Sequence, residues 1–275
     1  DSLTKGFNEM SLGRDLEKAR EAYKNKDLEA TIKAHSLKLA REDHQQEQGK
    51  YIKSVVYGGL DGIITTFAVV AGVTGAALSA GIVLILGLAN LIADGLSMAI
   101  GDYLSTKAER EYQEDERRRE AWEVENYPEG EKQELVELYM EKGLTKEDAS
   151  SIVSIISRNK SAWIDIMMVE ELGILESDES PVKNALVTFI SFAVFGSIPL
   201  VVYILSLFIP LLMENPFFIF FVACTMTGLT LFALGALKVR VTGKKWFVSG
   251  FEMLVVGGLA AIAAFGIGVL LSGLA

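Results

Sequence analysis

Cysteine is almost missing from this chain of 275 residues: Cys224 is the only one. No disulfide can form within the chain, and nothing in it signals an oxidising compartment. Histidine is nearly as scarce, limited to His35 and His44. Bundle-type di-iron carboxylate centres draw on repeated Glu-x-x-His motifs, and the chain has none. The segment Glu42-Asp-His-Gln-Gln-Glu47 offers metal-ligating side-chain types, yet two histidines outside any repeated motif are a weak basis for a metal centre. A basic excess is also lacking. Lys and Arg number 26 against 36 Asp and Glu, a net charge of −10, which argues against nucleic-acid binding. The charged N-terminal stretch has no apolar signal core, so the first membrane signal expected is the first apolar run itself.

What the chain does have is apolar sequence gathered into five runs: Ile52–Ala76, Gly81–Leu104, Val182–Pro210, Pro216–Leu237 and Phe247–Leu274. A helix needs about 20 mostly apolar residues to cross the hydrocarbon core, so each run predicts a transmembrane helix. Lys and Arg occur before the first run, between the second and third, and in Lys238-Val-Arg-Val-Thr-Gly-Lys-Lys245 between the fourth and fifth. The one-to-two link, the three-to-four link and the C-terminus carry none. This alternation predicts a cytoplasmic N-terminus and a C-terminus on the opposite side.

Four segments follow. Residues 1–50 have apolar side chains at helical spacing and predict an amphipathic helical pair on the cytoplasmic side. Residues 51–106 hold spans one and two, and residues 181–275 hold spans three to five. Between them, residues 107–180 carry ten basic and twenty-one acidic side chains, a local charge of −11. The acidity of the whole chain therefore belongs to this module, which suits cation binding or plain solvation.

The module reads as helices throughout, with no competing strand pattern. The first continues from span two to Glu125 and is broken at Asn126-Tyr-Pro128, because proline disfavours helix in the residue before it. The second runs from Pro128 to Lys142 and stops at Gly143. Thr145-Lys-Glu-Asp148 resembles a capping box for a third helix to about Arg158. Ser161 begins a last helix through Met168 to Leu172. In span three, Pro199 after Gly196-Ser197 predicts a kink. The Gly/Ala-rich span five permits close helix approach, either within the chain or at a dimer seam.

Asp61 and Asp94 stand within spans one and two, where an acid costs about 3 kcal/mol or more and by default marks an ion or proton route. Asp94, Met98 and Asp102 recur at every fourth residue and share one helix stripe. Carboxylate oxygen alone suits Mg²⁺ or Ca²⁺, whereas an added thioether favours a first-row ion such as Fe²⁺. Taken singly, Met98 also reads as core filler and Asp102 as an interfacial acid. Glu252, one turn into span five, either pairs with Lys244 or Lys245 or faces the same route as Asp61. In the module, Glu120 and Glu123 share one face, as do Glu131 and Glu134 across the Pro128 break. Met167 and Glu171 share another. Any one of these glutamates alone reads as a solvated charge, and Arg117-Arg-Arg119 as neutralising neighbouring acids.

The strings Gly59-Leu-Asp-Gly62, Ala93-Asp-Gly-Leu-Ser-Met-Ala-Ile-Gly-Asp-Tyr-Leu-Ser105 and Met167-Met-Val-Glu-Glu-Leu-Gly173 resemble the vacuolar iron transporter family. The resemblance runs from about Tyr51 to the C-terminus and leaves residues 1–50 outside. It implies an all-α membrane protein with five transmembrane helices and a cytoplasmic helical metal-binding module between helices two and three. It also implies a homodimer in the plasma or vacuolar membrane that moves Fe²⁺, and often Mn²⁺, out of the cytosol in exchange for protons. No resident cofactor is required, and Co²⁺ and Zn²⁺ tolerate the same ligands. By the same resemblance, Asp61 and Met98 line the route, while Glu120, Glu123, Glu131, Glu134, Met167 and Glu171 bind metal in the module. At Asp94 the family usually has a small residue, and at Asp102 usually Glu. The competing functions are a membrane-bound di-iron carboxylate oxidase, a membrane-anchored metal buffer or sensor, and a channel. The missing Glu-x-x-His pairs speak against the oxidase, and the intramembrane acids against a mere anchor.

Overall fold

The computed structural model describes residues 16–35, 46–175, 179–209, 215–242 and 245–274. All its regular elements among these residues are helices: α1 (Leu16–Asn25), α2 (Leu28–His35), α3 (Gln46–Gly75), α4 (Ala80–Asn126), α5 (Pro128–Glu141), α6 (Lys146–Ile156), α7 (Lys160–Glu170), α8 (Pro181–Ser206), α9 (Pro216–Thr242), α10 (Trp246–Leu271) and a terminal 3-10 turn, Ser272–Leu274. The five apolar runs lie in α3, α4, α8, α9 and α10, each long and apolar enough to cross a membrane. The N-terminal pair is present as α1 and α2, where Asp27 caps α2 by accepting from the Ala30 amide at 3.0 Å.

Helix α3 is the hub, packing against α8, α10, α4 and α9. Small side chains set its closest approach. A Cβ added at Gly58 would lie 2.6 Å from the Thr188 carbonyl oxygen of α8, and one at Gly62 2.9 Å from the Phe192 Cα. From the other side, a Cβ at Gly196 of α8 would lie 2.8 Å from the Gly62 oxygen. Lipid gives apolar side chains no reason to leave it, so van der Waals contact between close backbones is what joins such helices. Above this seam Phe67, Val70, Leu200, Tyr203, Ile219 and Ala223 form a shared core. Helix α8 runs through Pro199 as one element.

Outward faces remain apolar. Ile262 of α10 is 71% exposed and Ile85 of α4 is 69% exposed, the pattern of helices solvated by hydrocarbon rather than water. The span-five glycines divide between two uses. Gly257 packs on Leu231 of α9 and Gly268 on Gly72 of α3, while Gly258 and Gly266 have no neighbour within 4 Å of an added Cβ.

Helix α4 is 47 residues long, about 70 Å at 1.5 Å per residue, and a bilayer core is about 30 Å thick. Its apolar part ends near Leu104, so the charged remainder projects beyond the membrane. Helices α5 to α7 fold back onto that projection around Val124, Leu135, Val153, Trp163 and Met167. The N-cap expected at Thr145 is made, while Asp148 closes it through the hydroxyl rather than through the Thr145 amide as a full capping box would. The Asp148 amide donates to Thr145 Oγ1 at 3.2 Å, and that hydroxyl donates to Asp148 Oδ2 at 2.7 Å. Gly143, at φ +99°, ends α5 in the left-handed region that glycine tolerates. The last module helix begins earlier than predicted, because Asn159 accepts from the Ala162 amide at 3.2 Å and caps it.

Candidate metal centre and membrane route

Three carboxylates meet where α4, α5 and α7 converge. One oxygen each from Glu120, Glu131 and Glu171 lies within 4.8 Å of the others. Their positions follow from the helices that carry them. Glu120 lies on the face of α4 that the module covers and is fully buried, and Glu131 in the first turn of α5 is 6% exposed. A helix N-terminus favours an anion, so Glu131 is well placed there. Glu171 caps the C-terminus of α7, where the helix dipole disfavours an anion and favours a cation. Both oxygens of Glu120, Oε2 of Glu131 and Oε2 of Glu171 are buried without a hydrogen-bond partner. Buried charged groups ordinarily are paired or coordinate a metal.

Burial pushes the Glu120 carboxyl up to about 7, with repulsion from Glu171, Glu131 and Glu123 adding to it. Burial likewise raises Glu131 to about 7, helped by Glu123, Glu134 and Glu171, and it also raises Glu171. Above neutral pH the cage is a dense negative site. Below it, protons hold the oxygens that a cation would take. The folded chain thus binds more protons than the unfolded one between about pH 4.5 and 7. The stability these groups contribute is complete below the unfolded value and is lost as pH rises through the folded one. The metal-free protein is therefore expected to melt at a lower temperature near pH 7.5 than near pH 5.5. Glu120→Gln with Glu131→Gln should flatten that slope. An unchanged slope in the double variant, followed by circular dichroism, would refute the assignment.

The other module glutamates form an outer layer. Glu123 is 29% exposed and lies 3.5 Å from Arg119. Glu134 is exposed and reaches the cage only through its charge. Met167 is fully buried within the module core, one turn before Glu171. The basic triplet divides its partners: Arg117 pairs with Asp165 of α7, Arg118 with Asp115, and Arg119 with Glu120 of the cage and with Glu116 and Glu123 on its own helix. Sequence reasoning missed Glu116, which bonds Arg119 at 2.8 Å. Its place one turn before Glu120 was the available signal.

In the membrane, Met98 and Asp102 line a cleft of about 360 Å³ between α3 and α4, together with Lys53, Ser54, Tyr57, Gly101 and Ser105. Asp102 is tied to α8, its Oδ2 accepting from Thr188 Oγ1 at 2.5 Å. Asp61 and Asp94 are not among the cleft residues. Each lies one turn deeper than a lining residue, Tyr57 and Met98 respectively, and both are half-buried. The charge of Asp94 acts on Asp61 across the helix pair. Asn90 continues the stripe one turn below Asp94, and its Nδ2 is buried without a partner. This residue too was missed. Glu252 lies 3.8 Å from Lys238 of α9 and its side chain is 58% exposed, so among the described residues its ion pair is with Lys238 and not with Lys245. Lys244 lies outside the described residues, as does His44.

The family model described as VIT family matches residues 52–269. A vacuolar iron transporter of Toxoplasma gondii is 45% identical over 268 residues, covering 94% of this chain and 89% of that protein. One of Plasmodium falciparum is 37% identical, covering 92% and 95%. Vacuolar iron transporter 1 of Arabidopsis thaliana is 33% identical, covering 81% and 88%. The first of these matches extends past the family model into the N-terminal segment, so that segment is not wholly outside the resemblance. A chain with five apolar helices and relatives named as transporters is a multi-pass membrane protein and not an enzyme, and this one belongs to the VIT family.

Proposed function

We propose that the chain carries Fe²⁺ out of the cytosol across a vacuolar-type membrane in exchange for protons, as a homodimer. The observation that carries this reading is the cage of Glu120, Glu131 and Glu171, whose buried oxygens lack hydrogen-bond partners. Placing the module in the cytoplasm, as the alternation of Lys and Arg favours, makes the cage a capture site. The ion then enters the cleft lined by Met98 and Asp102 and descends to Asp61 and Asp94. Oxygen and thioether donors together suit Fe²⁺, and Mn²⁺, Co²⁺ or Zn²⁺ are tolerated by the same set. Protons from the far side compete for the aspartates and release the ion. The relatives named vacuolar iron transporter support the cargo and the membrane.

The test is a proteoliposome assay with purified protein. Uptake of Fe²⁺ is expected to require an opposing proton gradient and to acidify the side the metal leaves. Metal flux indifferent to the gradient would leave a channel as the explanation.

A further inference from the structure

Arg119 stands apart from the other basic side chains around the cage. Arg118 bonds Asp115, Lys132 bonds Glu129, Lys160 bonds Glu125, and Lys142 pairs with Glu170. Arg119 instead places one guanidinium among three acids of the cage region. Its Nη2 is 2.8 Å from Glu116 and 3.3 Å from Glu120, and its Nη1 is 3.5 Å from Glu123. The contact with Glu120 has ion-pair distance without hydrogen-bond geometry, which leaves both Glu120 oxygens available. Arg119 also acts electrostatically on Glu131 and Glu171, the two inner acids it does not touch. Its side chain is 47% exposed, so it can swing into water without being desolvated.

We infer that Arg119 is a tethered counter-cation for the cage: its guanidinium balances the acids while the cage is empty and gives way when a divalent cation enters. A guanidinium cannot lose its proton in a protein, so the only way to remove its charge is to move it. Competition between tethered and free cation holds affinity down. A site that must hand its ion onward needs that restraint more than it needs tight binding. The inference rests on the reading of the cage as a metal site, and the test separates the two.

Mn²⁺ alone is the probe, titrated against the full chain in detergent and followed by the paramagnetic signal of the free ion. Arg119→Gln and Arg119→Met should each bind Mn²⁺ about tenfold more tightly and release it more slowly, since a positive charge within a few ångströms has been withdrawn. Arg119→Lys should stay near wild type. Without Mn²⁺, the two charge-free variants should melt below wild type, and their Tm should rise further on adding the ion. A merely structural Arg119 predicts the reverse, weaker binding in both. Unchanged or weaker binding in Gln and Met, with binding lost in Glu120→Gln/Glu131→Gln, overturns the role of Arg119 and leaves the cage intact. An unchanged number of bound Mn²⁺ ions in that glutamate double variant, or no binding by wild type, overturns both.

Discussion

Asp61→Asn is expected to lower divalent-metal flux in proteoliposomes by about 100-fold or more, given that losing even an outer-layer partner of a metal ligand costs roughly 10–100-fold in affinity. The substitution keeps the shape of the side chain and removes its charge. Asp61 lies in α3 beside Asp94, an acid whose charge acts on it across the interface, and the cation of Lys53 is two turns away on the same helix. Two like charges held together in a low-dielectric setting are tolerable when a cation visits between them. Asn neither draws the ion nor accepts the exchanged proton, so both halves of the cycle stop together. Stopped-flow quenching of a metal-sensitive dye inside the vesicles measures the rate. Wild-type flux in the Asn variant would remove Asp61 from the route.

Gly62→Val is expected to prevent folding rather than transport. The added Cβ would meet the Phe192 backbone, 2.9 Å from its Cα and 3.0 Å from its carbonyl carbon. Backbone cannot rotate aside as a side-chain tip can, so α3 and α8 must separate along their most intimate contact. Overpacking of this kind costs about 1–3 kcal/mol or more, and here the same seam also carries Gly58 and Gly196. Separation would loosen the Asp102–Thr188 bond that fixes the wall of the cleft. Gly258→Val is the control, because its added atoms meet nothing within 4 Å. Detergent size-exclusion profiles and Tm should show a collapsed Gly62→Val and a near-native Gly258→Val. A Gly62→Val protein with wild-type Tm would mean that the helices do not approach there.

The fold was legible because lipid imposes a coarse and local grammar. Run length alone marked the five spans, and proline at 128 and glycine at 143 marked where α4 and α5 stop. The helix start at Thr145 was readable from its N-cap, although Asp148, one methylene shorter than glutamate, meets the Thr145 hydroxyl rather than its amide. The site was less legible because it depends on how helices cross. Spacing put Glu131 and Glu134 on one face equally. The angle at which α5 meets α4 sends Glu131 inward and leaves Glu134 exposed. The same limit hid the pairing of Glu252 with Lys238, which crosses from one helix to another. Asn90 escaped notice because an amide in an apolar run looks unremarkable until its donor is found buried without an acceptor.

The unbroken α4 carries both Met98 and Glu120, 22 residues and so about 33 Å apart along one rod. With no hinge between them, the rod acts as a lever. A tilt of about 10° pivoting at Met98 would sweep Glu120 sideways by about 6 Å, given that rise per residue. That exceeds the 4.8 Å within which the three cage oxygens sit. Closing the membrane cleft on an ion would therefore pull one wall of the cage away from the others unless α5 and α7 travel with it. Independence of the two sites therefore requires the whole module to move as one body with α4, against which α5 and α7 are packed.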